Sequence, residues 1–351
     1  MSARCFTRGQ SLLIGGLTCL LLARLCSPFP LGKAFSAQTE EVAPEIIEQA
    51  KKEGKLVWYA TSSIEVARKM LDKFNEKYPF LQTEVYRTGS QGMLTKVLAE
   101  AQAKKSFSDV MMTPGGEGMT LKSKGLYAKY LSPQSRFFPE GFKDPEGYWT
   151  DAYTTMNAMI YNTKLVAPQD VPRSWNDLLQ PRWKKKIGLD TKSFEWFGYM
   201  MKIMGQKSGL EYMRKLSEQD IQFNNAGRTL MSQLTAAGEL TLALVYREDV
   251  ELLKDKGAPV DWAGFEPIIP SIHPLGINIY APHPNAARLF IDFALSREGQ
   301  DTWSRLYRVS SRPDVKPLRL QKRPNVLTPD FTIIGDYQKY SKIYRDVLMK
   351  K

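Results

Sequence analysis

The sequence is poor in the residues that most metal centres and covalent catalysts depend on. Its 351 residues include two histidines, His273 and His283, and three cysteines, Cys5, Cys19 and Cys26, all near the N-terminus. No His-Glu-x-x-His zinc signature and no Gly-x-Ser-x-Gly nucleophile elbow occurs. Gly115-Gly116-Glu117-Gly118 lacks both the dinucleotide spacing and the lysine of a phosphate loop, so it reads as a turn. Both histidines precede prolines, and His283 is most simply a helix-start residue. Acidic residues always supply candidate acid–base pairs, but no spacing marks one here. A secreted enzyme is therefore only a remote alternative.

A membrane-length apolar run is also missing. Leu12 to Leu22 is apolar but shorter than the roughly 20 residues a spanning helix needs. Arg4 and Arg8 precede it, no acidic residue occurs before Glu40, and Ala34-Phe35-Ser36 offers small residues at a cleavage site. This pattern predicts a secretory leader over residues 1–36 and a periplasmic mature protein. Arg24 and Leu25 stand before Cys26 where a lipoprotein signal has small residues. Cleavage would remove every cysteine, and with them disulfides, thiolate metal sites and cysteine nucleophiles.

Basic residues number 49 and acidic residues 37, a net charge of +12. The leader holds Arg4, Arg8, Arg24 and Lys33, so 49 less these four leaves 45 against 37, or +8. The lysines are scattered, with Lys184-Lys185-Lys186 as a run of three. A nucleic-acid surface concentrates its basic residues on one element with aromatics between them, so none is expected. The positive balance favours an anionic ligand.

Periodicity gives the organisation. A helix is predicted from Glu40 to Lys52 with Gly54 as its stop. Leu56–Ala60, Gln82–Arg87 and Asp109–Met112 read as strands. The first helix between them carries Ile64, Ala67, Leu71, Phe74 and Tyr78 on one face, behind a Ser62/Glu65 capping box. The second carries Met93, Leu94, Val97 and Leu98. Strands alternating with helices across short turns imply parallel pairing and right-handed crossovers. A second series follows: extended chain over Tyr148–Tyr161, strands at Lys186–Asp190, Ile221–Asn224 and Leu240–Tyr246, and helices from Ser193 and over Arg228–Ala237. Leu275–Tyr280 is extended again, and Pro284 opens a helix to Leu295. Pro267, Pro270 and Pro274 read as punctuation before it.

The stretch His283-Pro284-Asn285-Ala286-Ala287-Arg288-Leu289-Phe290-Ile291-Asp292-Phe293-Ala294-Leu295-Ser296-Arg297-Glu298-Gly299-Gln300 resembles the late helix pair of extracellular solute-binding proteins of ABC importers, most of all the ferric-ion-binding subgroup. Glu53-Gly54-Lys55 leading to Trp58-Tyr59, Ser108 to Met112, and Met159 to Val166 agree, in matching order. The resemblance implies the α/β, two-lobed type II periplasmic-binding-protein fold, each lobe a mixed sheet flanked by helices. Hinge strands would cross near Tyr153–Met159 and Leu275–Tyr280. Residues 37–152 and 276–322 would form lobe 1, and residues 153–275 and 323–351 lobe 2. A C-terminal helix over Phe331–Lys351 would return to the second lobe. It also implies a monomer that traps a small solute between the lobes and delivers it to an ABC permease.

In parallel α/β sheets ligands collect beyond the carboxyl ends of the strands. The candidate ligand-binding residues are therefore Thr61, Ser62, Ser63, Arg87, Ser90, Thr113, Gly115, Tyr153, Ser193, Trp196, Arg228, Tyr246 and Arg247. Serines at helix starts sit beside free backbone N–H groups that favour negative charge, and arginines add forked donors for carboxylate or phosphate. The aromatics would pack an organic body. The same serines serve equally well as plain helix caps, and Tyr246 and Trp196 as core. The favoured solute is an organic anion: a carboxylate, phosphonate or phosphate ester. Ferric ion is the alternative that the resemblance supplies. Iron-binding relatives use a pair of adjacent tyrosines, whereas this chain has Tyr246 followed by Arg247. Pro114 stands at the third-loop position where those relatives carry Glu. No cofactor is expected.

Overall fold

The computed structural model describes residues 42–225, 227–320 and 324–349. The predicted leader, with all three cysteines, lies outside the described residues. No helix among the described residues is long and apolar enough to cross a membrane.

The first half builds one sheet. Helix α1 (Pro44–Glu53) ends where Gly54 turns left-handed at φ 67°, its N–H returning to Ala50 O. Strands β1 (Lys55–Ala60), β2 (Gln82–Arg87) and β3 (Val110–Met112) pair in parallel in the order β2–β1–β3. The crossovers are α2 (Ile64–Lys77) and α3 (Ser90–Gln102), and α4 (Gly115–Ser123) follows β3. The cap of α2 is Ser63, whose Oγ accepts from Val66 N; Ser62 caps nothing, so the predicted Ser62/Glu65 box does not form. A short strand, β4 (Tyr127–Ala128), pairs with a later one.

Strand β5 (Thr150–Asn162) joins the two halves. The second half adds β6 (Ile187–Asp190), α5 (Phe194–Met204), α6 (Gln206–Ser217), β7 (Gln222–Asn224), α7 (Arg228–Ala237), β8 (Leu242–Tyr246) and α8 (Arg247–Asp255). Here β8, β6 and β7 run parallel, while β9 (Val260–Ala263) pairs antiparallel with β5. Strand β10 (Pro270–Asn278) closes the path. Thr150–Met156 of β5 pairs with β10, and Asn157–Tyr161 pairs with β8. The strand thus changes sheets between Met156 and Asn157. On the returning chain the change falls at Ile269/Pro270, since Asn157 N donates to Ile269 O and everything from Pro270 onward pairs in the first sheet. Leu275–Ile277 pairs with β3, so the second crossing precedes the stretch the sequence suggests. Pro270 is the first residue of its strand, and Pro274 sits where the ladder shifts register after Ile272, two places where a missing N–H does no harm.

Helices α9 (Pro284–Leu295) and α10 (Arg297–Arg305) return to the first half. Phe290 and Trp303 lie against Trp58 at 5.1 and 6.2 Å, in a core that also holds Phe74 and Phe293. The Glu53 carboxylate accepts from the N–H groups of Asn285 and Ala286, so α9's free N-terminus is already satisfied. This explains why a Glu53-Gly54-Lys55 motif belongs with a late helix. The chain crosses again where Val309 bridges Thr154 and Val326 bridges Ile268. Helices α11 (Phe331–Gly335) and α12 (Tyr337–Tyr344) replace the single predicted C-terminal helix. Tyr344 enters the second core with Trp196 and Phe197.

Candidate functional site

Six helices begin where parallel strands end: α2 after β1, α3 after β2, α4 after β3, α5 after β6, α7 after β7 and α8 after β8. All six corners border one cavity of about 720 Å³, with Tyr153, Thr155 and His273 of the crossing strands among its lining. That size suits a small organic molecule. A recess of similar volume, about 740 Å³, lies outside between α2 and α10. Its charges pair with one another, as Lys73 with Glu76 and Lys77 with Glu298 nearby, and no strand end points there.

On the first wall Thr61, Ser62, Ser63, Arg87 and Ser90 all border the cavity. Thr61 Oγ1 reaches Met112 O at 3.4 Å, and Ser90 Oγ donates to Glu117 at 2.8 Å. Ser62 is only 7% exposed and its Oγ has no partner. Arg87 is exposed, with Nε 3.4 Å from Ser62 O. Thr113 and Gly115 are not brought to the cavity. Thr113 is fully buried behind the corner, and Gly115 is packed where a Cβ would meet Ile334 and Ile272 at 3.0 and 3.1 Å. Pro114, Gly116 and Glu117 line the cavity there instead.

On the opposite wall Arg228 opens α7. Its guanidinium lies 4.4 Å from the centre of the Tyr246 ring, donates to Asn157 Oδ1 and comes within 3.4 Å of Ser193 Oγ. Ser193 supports Arg228 and does not itself border the cavity. Trp196 is core, 1% exposed and packed on Trp175 at 5.6 Å. Arg247 is also a correction. It is fully buried and turns away from Tyr246, donating to Tyr307 O at 3.3 Å and Leu318 O at 2.8 Å beside Glu251. Neighbouring residues at a strand-to-helix corner face different ways, so Tyr246 takes the cavity and Arg247 the interior. Tyr153 forms floor, stacked on His273 at 4.4 Å.

The sequence reading missed Glu117, Asp190, Glu195, Asp249, Arg308, Lys192 and Lys256, all of which border the cavity. Asp190, the last residue of β6, was reachable by the same strand-end argument. Arg308 gives no local signal: it arrives from the chain after α10, lies over Tyr153 at 5.4 Å and faces Asp249 at 3.8 Å. Burial pushes the Glu195 carboxyl up to about 7, with Arg228 pulling it back. Burial, and then Arg308, push His273 down to about 3, leaving a neutral imidazole. His283 is paired with Asp109 at 3.0 Å, away from the cavity lining. No group of three or more His, Cys, Asp or Glu among the described residues is placed to hold a metal ion.

Comparison with known proteins agrees with this architecture. An uncharacterized protein from Haemophilus influenzae is 27% identical over 274 residues, covering 72% of this chain and 76% of its own. Periplasmic binding protein AfuA from Actinobacillus pleuropneumoniae, solved with fructose-6-phosphate, superposes with TM-score 0.73 at 22% identity over 85% of this chain and 99% of its own. A ferric binding protein from Campylobacter jejuni gives TM-score 0.72 at 17% identity, over 83% and 99%. These likenesses establish the type II periplasmic-binding-protein fold. Residues 107–334 match the family described as bacterial extracellular solute-binding protein. The chain belongs to that family, and is a non-enzymatic solute-binding protein of ABC import.

Proposed function

We propose that this protein captures a small organic anion, a carboxylate, phosphonate or phosphate ester, in the cavity and hands it to an ABC permease at the cytoplasmic membrane. It does so in the periplasm, as a monomer, after loss of residues 1–36. The carrying observation is the convergence of six helix N-termini on one cavity, with Arg87 and Arg228 on opposing walls. Free backbone N–H groups and the dipole favour negative charge at each corner, and the two guanidinium groups supply forked donors. Contacts to both walls are what closure requires, because a ligand shifts a two-state equilibrium only by its differential affinity for the states. The moving bodies we assign follow the two lobes of the sequence reading, residues 37–152 with 276–322 and 153–275 with 323–351, with the boundaries on β5 and β10 moved to the observed crossings at Met156/Asn157 and Ile269/Pro270.

AfuA's bound fructose-6-phosphate is consistent with an anion on this fold, and the ferric binding protein marks the rival solute. The Arg228 guanidinium against Tyr246 disfavours a trivalent cation there. Native mass spectrometry of freshly purified protein, followed by calorimetric titration with phosphate esters, phosphonates and carboxylates, tests the reading. A retained or titrated organic anion is the expected result. A visible tyrosinate band on adding ferric citrate, with no organic anion bound, would replace it with iron transport.

A further inference from the structure

The cavity's lining holds as many carboxylates as cationic side chains, an unexpected balance for a receptor that selects on negative charge alone. Most of those carboxylates have partners. Glu65 takes Lys69 at 3.0 Å, and Glu117 takes Ser90 and Gln91 at 2.8 and 2.9 Å. Asp190 accepts from Lys192 N at 2.8 Å, and Asp249 from Thr229 Oγ1 at 3.0 Å. Glu195 stands apart. Its Oε2 has one long bond from Ser271 Oγ at 3.3 Å, while its Oε1 is shut from solvent with no partner. The nearby Arg228 is turned to Asn157 and Ser193. A buried acceptor left unpaired costs free energy that a matching donor restores.

We propose that Glu195 is a specificity-determining residue, and that the solute carries, besides its anionic group, a hydroxyl or ammonium donor that Glu195 accepts. The inference rests on the organic-anion reading above and narrows its class. The anionic end is held by the helix N-termini with Arg87 and Arg228; the donor end meets the first turn of α5. A rotation about the last torsion of Glu195, which is soft, presents Oε1 to the cavity. The carboxylate's pairing with a donor is worth about ten- to a hundredfold in affinity, as for hydrogen bonds to charged groups. A solute of equal charge and size without the donor leaves Glu195 unpaired and is rejected by a comparable factor.

The test uses solutes paired by skeleton: glucose 6-phosphate against cyclohexylmethyl phosphate, gluconate against hexanoate, and 3-aminopropylphosphonate against propylphosphonate. Dissociation constants are measured by calorimetry for the full mature protein and for Glu195→Ala and Glu195→Gln, with melting temperatures as a folding control. In at least one pair the donor-bearing member is expected to bind the unmodified protein at least about tenfold more tightly. Glu195→Ala is expected to bring that ratio close to one, with the donor-free member unchanged, and Glu195→Gln, which keeps an acceptor oxygen, to restore part of it. The pair that responds separates a hydroxyl from an ammonium. An equal loss for both members of a pair, or a preference that survives in both variants, overturns the role of Glu195 while leaving the organic-anion reading standing. Failure of every anion to bind the unmodified protein overturns that reading and this one with it.

Discussion

The two walls of the cavity are built from the same strand-to-helix corners and offer different chemistry. The first wall, at α2, α3 and α4, presents backbone, small hydroxyls and the partnered carboxylates Glu65 and Glu117, with Arg87 exposed at its edge. The second wall, at α5, α7 and α8, presents charged side chains, among them the half-buried Arg228 braced by Asn157 and Ser193 and the barely partnered Glu195. Fixed N–H dipoles favour charge with little discrimination among anions, whereas a braced guanidinium or carboxylate has a geometry that a solute must match. On the organic-anion reading, the solute would take its geometry-demanding forked contact from the second wall and a weaker, salt-screened attraction from the first.

The sharpest break of that comparison is Arg228→Ala. A charged hydrogen-bond partner is lost from a half-buried position, and the dissociation constant for the titrated anion is expected to rise at least about thirtyfold, roughly 2 kcal/mol. The fold should stay intact, as checked by circular dichroism and melting temperature. Arg87→Ala is expected to cost less, about three- to tenfold. That loss should shrink as salt is raised, because an exposed charge is screened. Titrations of both variants at low and high ionic strength check the order; a larger effect at Arg87 would reverse the assignment of the walls.

The corners themselves were legible in the sequence because strand, turn and helix start each leave local marks. Gly54, the run Leu56–Ala60 and the apolar face of α2 suffice to place Thr61–Ser63 at a sheet edge. Orientation at a corner was not legible. Tyr246 and Arg247 are neighbours, and the carbonyls of Tyr307 and Leu318 that claim Arg247 lie 60 and 71 residues away. Whether Trp196 was ligand-packing or core was left open for a related reason: its partner Trp175 comes from a separate short helical turn. Pro270 and Pro274 hid the start of β10 because a proline reads as a stop unless it is known to open a strand, as Pro270 does, or to sit at a bulge, as Pro274 does. Arg308 was invisible, since only the crossing at Thr154 and Val309 brings its segment to the floor.

The crossing carries its own prediction. Glu248 accepts Met156 N–H with both oxygens, at 3.2 and 3.3 Å, where β5 changes sheets. Burial pushes this carboxyl up to about 7, against the pull of Arg308 and Arg247; burial likewise raises Asp151 to about 6 and Glu195 to about 7. A carboxyl whose folded pKa is raised binds its proton more tightly in the folded state. Stability therefore falls as pH rises from the ordinary carboxyl value through the raised one, and levels off above it. His273, depressed to about 3, acts with the opposite sign, but only below its ordinary value of 6.5. Between pH 6.5 and 7.5 the decline should dominate. Scanning calorimetry is expected to show a falling melting temperature there, with a slope reduced by about half in Glu248→Gln.

The smallest effects separate two adjacent serines on the first wall. Ser63 Oγ caps α2 through Val66 N, so Ser63→Ala should cost roughly 1 kcal/mol of stability and leave affinity nearly unchanged. Ser62 Oγ is buried without a partner, so Ser62→Ala should leave the ligand-free protein as stable or slightly more so. If the solute takes that hydroxyl on closure, the same change should weaken binding by about fivefold, near 1 kcal/mol. Denaturant melts and titrations on both variants check this. A wall that recognises charge through backbone alone would show no affinity change at Ser62, and a loss confined to Ser62 would give one hydroxyl of that wall a direct part in holding the anion.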